Sequence, residues 1–345
     1  MLQTIASTHI EEAMKPDGTL ILKRSEVASL LSLSECIGAV ETAFRLNEEG
    51  QSLPPGVLET LSDNGGFHIK AAGLRLAERT YYAAKVNANF PQNMSRLGLP
   101  TIQGVIALYD GASGYPLALL DSIEITALRT GAATAVAAQY LARPDSKVVT
   151  ICGCGVQGRV QLKSLAQVLG LAKVYAYDQD EVVSGKFADE MSAELRTEVI
   201  PVTDLPGSLA ESDVCVTCTS SRQPFLMREY LRAGTFVAAV GADNPLKQEL
   251  DPRLLSANKV VVDILEQCAA IGDLHHAIAA GIMAKSDVFA ELGSIVAGRT
   301  PGRTSAEEII IFDSTGTALQ DVAAASIVYQ KALDARQGTW LNLAA

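Results

Sequence analysis

Residues from about 20 to 120 alternate between a helical pattern and short strand patterns. Ser32 and Glu35 form a capping box, and the helix that follows carries Ile37, Val40 and Phe44 on one apolar face. Apolar runs then predict strands at residues 67–71, 81–87, 104–109 and 117–121. Because these runs are short and separated by close turns, they predict an antiparallel or mixed sheet.

A second pattern follows a helix of small apolar residues, which we predict from about residue 125 to 142. From residue 147 onward, strands alternate with glycine turns and helices. These strands are predicted at residues 147–152, 173–178, 199–202, 213–217, 236–240 and 259–263. This alternation predicts an α/β fold with a parallel, doubly wound sheet. The last amphipathic stretch, residues 321–337, predicts a helix that packs back on the first part of the chain.

The composition is that of a globular enzyme, with 48% hydrophobic and 19% charged residues. The net charge of -11 argues against nucleic acid as a partner, because binding a polyanion requires a basic surface. Residues 1–15 lack the basic and apolar regions of a signal peptide, and no apolar run is as long as a membrane span. We therefore predict a cytoplasmic protein without a membrane partner.

The six cysteines are scattered and lie mostly in apolar stretches, which is typical of reduced, buried thiols. Cys215 and Cys218 form a CxxC sequence, which could mark a redox site or half of a zinc site. On a strand, however, residues three apart point to opposite faces, and the chain has no second CxxC. We therefore predict a buried strand there and no metal site.

A glycine-rich loop follows the strand at residues 147–152. Gly153, Gly155 and Gly158 form a GxGxxG pattern that opens a helix, and Asp178 ends the next strand 20 residues after Gly158. In a dinucleotide site the glycines permit a tight turn and a close approach of the pyrophosphate, while the carboxylate binds the adenosine ribose. Because Asp178 would repel a 2'-phosphate, we predict NAD rather than NADP.

Two further loops follow parallel strands, where ligands bind in doubly wound sheets. Thr219 and Ser220 end one strand, and Gly241 and Asp243 follow another. Two interpretations of Asp243 stay open at this point. The carboxylate either faces a reacting substrate beside the nicotinamide or caps the N-terminus of a helix.

Cationic side chains interrupt apolar elements of the first region. His68 with Lys70, and Lys85 with Asn87, each share one face of a strand, and Arg129 interrupts a helix rich in alanine. Buried cations are costly unless they are paired, so these residues predict either a pocket for an α-carboxylate or ion pairs between domains. The adjacent His275 and His276 do not predict a metal site, although one of them could approach the pocket.

The motifs "AAKVNANFPQN", "ALRTGAATAVAAQYLARP", "GCGVQG", "AVGADNPLKQELD" and "FDSTGTALQDVA" together resemble the ornithine cyclodeaminase/mu-crystallin family, and most closely its archaeal-type alanine dehydrogenase branch. The resemblance covers nearly the whole chain after residue 20. It implies a Rossmann-type NAD domain at residues 126–314. It also implies an α+β substrate-binding and dimerisation domain at residues 1–125 and 315–345, completed by the C-terminal helix. A homodimer is expected on the same basis.

The resemblance also assigns roles. It implies that Lys85 and Asp243 are catalytic and that Arg129 binds the substrate carboxylate. Where the family usually has an arginine, this chain has Gly56, so Lys70 or His68 is expected to replace that ligand, with Asn87 nearby. The residues expected to bind NAD are Gly153, Gly155, Val156, Gln157, Gly158, Asp178, Thr219, Ser220, Thr130 and Gly241.

These roles predict hydride transfer between NAD and the α-carbon of a small L-amino acid or its imine. Two alternatives stay open. A cyclodeaminase would convert ornithine to proline and ammonia while recycling NAD, and Glu59 is a candidate partner for the distal ammonium. A mu-crystallin-like protein would bind the dinucleotide without catalysis, although the presence of both Lys85 and Asp243 argues against it.

Overall fold

A computed structural model describes residues 18–343, which build two β-sheets. The first sheet is mixed and has seven strands in the order β17-β1-β6-β5-β4-β3-β2. Its strands are β1 (Thr19–Leu22), β2 (Ser52–Ser62), β3 (Gly65–Leu76), β4 (Arg79–Asn89), β5 (Ile102–Asp110), β6 (Pro116–Asp121) and β17 (Thr339–Leu341). Strand β1 runs parallel to β6 and the other neighbours are antiparallel, as the short apolar runs predicted.

Five helices accompany this sheet. They are α1 (Arg24–Leu30), α2 (Leu33–Glu48), α3 (Asn93–Leu97), α4 (Ile123–Leu141) and α12 (Ala318–Ala335). The predicted capping box of α2 is present, because the Ser32 side chain accepts from the Glu35 amide and the Glu35 side chain accepts from the Ser32 amide. Helix α12 packs on α2, β3 and β4, so the C-terminal segment completes the first layer.

The second sheet has eight parallel strands in the order β15-β14-β16-β12-β10-β7-β8-β9. They are β7 (Val148–Cys152), β8 (Lys173–Tyr177), β9 (Glu198–Val202), β10 (Val214–Thr217), β12 (Phe236–Ala239), β14 (Lys259–Val262), β15 (Ala290–Glu291) and β16 (Ile310–Asp313). A two-stranded parallel ribbon, β11 (Arg222–Leu226) with β13 (Gln248–Leu250), stands beside it. The α/β fold class predicted from the alternating pattern is confirmed.

The remaining helices connect the parallel strands. They are α5 (Val156–Val168), α6 (Glu181–Leu195), α7 (Leu205–Glu211), α8 (Pro252–Ser256), α9 (Leu265–Ile271), α10 (Asp273–Ala279) and α11 (Leu292–Val296), with short 3₁₀ helices at Arg228–Tyr230 and Lys285–Asp287. Helices α4 and α5 pack so closely that a Cβ on Gly131 of α4 would overlap the side chains of Ser164 and Val160 on α5. This contact joins the first layer to the nucleotide half of the molecule.

Within residues 18–343, we find no single helix of sufficient length and apolar character to span a membrane. The consecutive helices α1 and α2 satisfy the length and composition criteria only when taken as a pair, and the chain bends by 82° between them.

Candidate active site

A cleft of about 1210 Å³ lies between the mixed sheet and the carboxyl ends of the parallel strands. Its wall on the mixed sheet includes Glu59 and His68. The opposite wall includes Gly153, Asp178 and Thr219, which follow three different parallel strands. The topology therefore brings the predicted cofactor loops and part of the predicted substrate face to one opening, as expected for a doubly wound sheet.

The loop after β7 has the shape that a dinucleotide requires. Gly153 has a φ of 101°, and a Cβ there would lie 2.9 Å from the carbonyl oxygen of Cys218. A Cβ on Gly158 would overlap the Gly153 carbonyl oxygen. Helix α5 begins at Val156 after Gly155, which provides no side-chain cap, so its first amides are left available for an anion beside the cleft.

Two further groups at this loop fit the same ligand. The Asp178 carboxylate lines the cleft and accepts a 2.8 Å hydrogen bond from the Cys154 amide, which holds it beside the loop. The side-chain oxygen of Gln157 is buried and has no hydrogen-bond donor among residues 18–343. These features fit NAD, the predicted cofactor, with Asp178 placed where a ribose hydroxyl can donate to it.

Three cations form a buried cluster, which we call the cationic cluster: Lys70, Lys85 and Arg129. Lys70 and Lys85 are direct cross-strand partners on β3 and β4, and Arg129 comes from α4. Their exposed fractions are 6%, 3% and 6%. The structure therefore brings these three predicted residues together, although none of them lines the cleft. Their role in substrate binding stays a prediction.

Asp321 of α12 holds two members of the cationic cluster. Its carboxylate lies 2.7 Å from Lys85 Nζ and 3.3 Å from Arg129 Nε, and it is 1% exposed. Arg129 also donates to Gln320 Oε1 at 3.1 Å. The Arg129 Nε group, however, lacks a hydrogen bond of good geometry to any acceptor in the described part of the chain. A buried guanidinium N–H without an acceptor is a favourable site for an anionic ligand.

The protonation of the cluster reflects its crowding. Burial, followed by the charge of Arg129, lowers the pKa of Lys85 to about 7, although Asp321 opposes that shift. Burial and Arg129 also lower the pKa of Lys70, whose Nζ donates to the carbonyl oxygens of Thr315 and Gly316 at 2.8 and 2.7 Å. The cluster therefore gains from an added negative charge, such as the α-carboxylate of an amino acid.

Asp243 lies in the loop after β12, as predicted, but it does not cap a helix, so that alternative is wrong. The loop runs directly into β13, and the side chain instead accepts from Lys247 Nζ at 2.7 Å. Burial raises the pKa of Asp243, but Lys247, and then Lys70 and His68, outweigh burial and keep that pKa below its ordinary value. The carboxylate is thus ionised at neutral pH, and the charge of Lys70 on the mixed sheet acts on it.

His68, Asn87 and Glu59 occupy one cross-strand row on the face that carries Lys70 and Lys85. His68 Nε2 lies 3.6 Å from the Glu59 carboxylate, and both line the cleft. The Asn87 Oδ1 accepts from Ser122 at 2.6 Å, and its amide lies 3.4 Å from the Thr126 hydroxyl. Its role in substrate binding stays a prediction. In this structure Asn87 anchors the start of α4.

Of the other residues predicted to bind NAD, Ser220 and Val156 are accessible, whereas Thr130 and Gly241 contact other parts of the protein. Ser220 lines the cleft beside Thr219, and Val156 is 70% exposed at the start of α5. Thr130 is half-buried on α4, and its hydroxyl donates to the Thr126 carbonyl within the same helix. Gly241 is buried against the Glu249 carboxylate. Their roles in binding NAD stay predictions.

The two histidines and Cys215 do not line the cleft, whereas Cys218 does. His276 Nε2 lies 2.8 Å from the Lys247 carbonyl oxygen, and His275 Nδ1 lies 3.3 Å from that of Ala269. Cys215 is buried in β10 while Cys218 lies just beyond its end. Across residues 18–343, we find no group of three or more His, Cys, Asp or Glu side chains placed to hold a metal ion.

Sequence reasoning missed Asp321 and Glu249. Asp321 stands directly before the apolar run at residues 322–325, and the argument that singled out Arg129 in α4 applies to it equally. Glu249 is fully buried on β13. It accepts from the amides of Thr219 and Gly241 at 2.6 and 2.9 Å. In the sequence it stands in "LKQELD" among polar neighbours, so nothing local indicates its burial.

Comparison with known proteins places these features in one family. The model of the ornithine cyclodeaminase/mu-crystallin family matches residues 18–336. An alanine dehydrogenase of Archaeoglobus fulgidus is 40% identical over 322 residues, covering 93% of this chain and 97% of that protein. The chain therefore belongs to the ornithine cyclodeaminase/mu-crystallin family, and the predicted membership is confirmed.

Two solved structures share the fold. An archaeal alanine dehydrogenase dimer with bound NAD has a TM-score of 0.89 and 39% identity, covering 94% of this chain and 99% of that one. The Thermococcus litoralis Delta(1)-pyrroline-2-carboxylate reductase in complex with NADH and L-proline has a TM-score of 0.88 and 36% identity, covering 94% and 100%. Both relatives were solved with a nicotinamide dinucleotide, in agreement with the predicted cofactor.

Proposed function

We propose that this chain is an NAD-dependent oxidoreductase that transfers a hydride between NAD and the α-carbon of a small L-amino acid or its imine. The observation that carries the proposal is the buried cationic cluster, two members of which lie on the sheet that forms one wall of the cleft, opposite the glycine loop. Lys247, which donates to Asp243, lines the same cleft. The names of the relatives support the class of reaction, since they act on amino acids or cyclic imines with a nicotinamide dinucleotide.

Each residue of the site has a defined task in this reaction. Arg129 and Lys85 bind the α-carboxylate, which fixes the α-carbon and compensates the excess positive charge. Asp243 is ionised and accepts a proton from the substrate amine or from the water that attacks the imine, and it returns a proton in the reductive direction. Bound NAD supplies the hydride acceptor, and NADH the donor.

The experiment that tests this function mixes purified protein and NAD with L-alanine, L-aspartate, L-ornithine, L-lysine and L-proline. Nicotinamide absorbance and released ammonia are recorded together. We expect NADH to accumulate with one of these amino acids, accompanied by ammonia for a primary amine. The variant Asp243→Asn is expected to lose at least about 100-fold in kcat, the usual scale for a general acid or base. The matched control Asp251→Asn changes the N-cap of α8 and its ion pair with the exposed Arg253, and it lies outside the cleft.

A second candidate function is supported by the row that carries Glu59. Its carboxylate lines the cleft on the same sheet face as Lys70 and Lys85, where a distal ammonium of ornithine could reach it. A cyclodeaminase would release ammonia from ornithine without accumulating NADH. The same assay therefore separates the two reactions. Bound NADH with no turnover in either direction would favour a non-catalytic dinucleotide-binding protein.

A homodimer is part of the proposal. The outer face of the mixed sheet carries the apolar cross-strand row Leu58, Ile69, Val86 and Val105. Leu58 is 58% and Val105 50% exposed. An exposed apolar row of this kind is typical of an interface, and the archaeal alanine dehydrogenase relative is a dimer. We propose that a second copy covers this face, and that residues 1–125 with 315–345 form the substrate and dimerisation domain around the NAD domain at 126–314. A cytoplasmic location stays a prediction.

A further inference from the structure

We propose that Glu249 is a positioning residue that fixes the cofactor-side loop and the loop of Asp243 relative to each other. The first loop comprises residues 218–221, after β10, and the second residues 240–244, after β12. These strands are hydrogen-bonded neighbours in the parallel sheet. The inference rests on the proposed function, which places NAD at the first loop and proton transfer at the second.

The Glu249 carboxylate divides its two oxygens between the loops. Oε1 accepts from the Thr219 amide at 2.6 Å and from the Thr219 hydroxyl at 2.7 Å. Oε2 accepts from the Gly241 amide at 2.9 Å. A carboxylate is needed for this arrangement, because all three partners are donors and an amide side chain has only one acceptor oxygen.

The strand that carries Glu249, β13, is itself held by hydrogen bonds to helix α10. The amides of Glu249 and Leu250 both donate to Asp273 Oδ1 at 2.9 Å, and Asp273 is the first residue of α10. Glu249 and Asp273 are both 0% exposed. The Ser221 carbonyl oxygen also accepts from the Gln248 amide at 2.9 Å. Strand β13 therefore holds both loops by hydrogen bonds and is itself held by Asp273.

The consequence for catalysis follows from position along the chain. Glu249 bridges Thr219 and Gly241 by hydrogen bonds, and Thr219 lines the cleft, so one side of this bridge lies in the predicted NAD site. Gly241 precedes Asp243 by two residues, so the other end sets where the Asp243 carboxylate stands. Glu249 does not line the cleft and acts through these two residues. Loss of the hydrogen bonds to Thr219 is expected to weaken NADH binding, and loss of the hydrogen bond to Gly241 is expected to lower kcat.

Two variants of Glu249 separate the effect of its bonds to Thr219 from that of its bond to Gly241. In Glu249→Gln the single remaining acceptor oxygen pairs with the two donors of Thr219, and the new NH₂ group faces the Gly241 amide. We expect deuterium uptake to rise in the peptide covering residues 240–247 and not in the peptide covering 216–222. We also expect the dissociation constant for NADH, measured by fluorescence, to stay within about threefold while kcat falls about tenfold, the factor for one lost buried hydrogen bond.

In Glu249→Ala the hydrogen bonds to both Thr219 and Gly241 are lost. We expect the NADH dissociation constant to rise about tenfold as well, since Thr219 also loses its acceptor. The matched control is Glu291→Gln on β15, which changes a half-buried carboxyl that accepts from the Leu265 amide at the start of α9 and lies outside both loops. If Glu249→Ala fails to fold, Thr219→Val tests the same end and should weaken NADH binding without changing exchange at Gly241.

The proposal is overturned if exchange at residues 240–247 is the same in Glu249→Gln and the unmodified protein. It is also overturned if loss of the Thr219 bonds leaves NADH affinity unchanged. Exchange and NADH binding need no amino-acid substrate. A protein that turns over none of the amino acids would therefore contradict the proposed function while still deciding the role of Glu249.

Discussion

Replacing Asp321 by Asn removes the only carboxylate within ion-pair distance of Lys85 and Arg129 in the described part of the chain. Both cations and Asp321 are at least nine-tenths buried, so water cannot replace the lost charge. Breaking a buried ion pair by removing one partner costs about 3–5 kcal/mol. We expect Asp321→Asn to lose that much free energy of unfolding.

Urea unfolding followed by circular dichroism measures this change. The matched control is Asp334→Asn, which makes the same substitution at an exposed position of the same helix and should stay within about 0.5 kcal/mol of the unmodified protein. In the double variant Lys85→Met with Asp321→Asn, the stability loss should be smaller than the sum of the single losses by about 0.5–3 kcal/mol, because the two residues interact directly.

The same substitution also predicts a kinetic change. The Asp321 charge opposes the lowering of the Lys85 pKa, so removing it lowers that pKa below its value of about 7. Lys85 then loses its proton already below pH 7, so KM for the amino acid should rise most just below pH 7, with a smaller rise near pH 8, where Lys85 is mainly neutral in the unmodified protein as well. Equal stability of Asp321→Asn and the unmodified protein, together with a pH-independent change in KM, would refute the reasoning.

Three further predictions follow from the same structure. Asp178→Ser should lower the ratio of the dissociation constants for NADPH and NADH by about tenfold, measured by fluorescence titration, because it removes a carboxylate that repels a 2'-phosphate. Burial raises the pKa of Glu249 to about 7 and that of Asp273 to about 6. Because both folded-state pKa values lie above the unfolded ones, the stability that these groups contribute is complete below about pH 4 and is lost as the pH rises to about 7. Urea unfolding at several pH values should show this loss, and Glu249→Gln should make it smaller. Val105→Asp should shift the protein from dimer to monomer in sedimentation experiments, whereas Val182→Asp, at a 78% exposed position on α6, should not.

The sequence predicted the features that have a local signature. The alternation of apolar strands with glycine turns identified the parallel sheet, and the GxGxxG pattern with Asp178 identified the dinucleotide loop. The cationic cluster was recognisable because a buried charge conflicts with its apolar neighbours, as Lys85 does in β4 and Arg129 in α4. Such conflicts between a residue and its surroundings are visible in the sequence without knowledge of the fold.

Long-range partners were not predictable in the same way. Asp321 reaches Lys85 across 236 positions of the chain, and Glu249 meets Thr219 only because β13 stands beside the ends of β10 and β12. Asn87 shows the same limit. Its place on the same strand face as Lys85 suggested a substrate ligand, and the sequence did not indicate that the fold brings Ser122 within 2.6 Å of it. Periodicity indicates which face a side chain occupies, whereas its partner is set by tertiary packing.

The central claim is that a hydride leaves the α-carbon of the substrate and stays on the nicotinamide. The most direct measurement supplies NAD and each amino acid of the panel with deuterium at the α-carbon, and follows the label by mass spectrometry. We predict deuterium in the reduced nicotinamide, in a one-to-one ratio with oxidised substrate. Deuterium found only in a cyclic amino-acid product, with ammonia released and no reduced nicotinamide accumulating, would contradict the account and establish a cyclodeaminase.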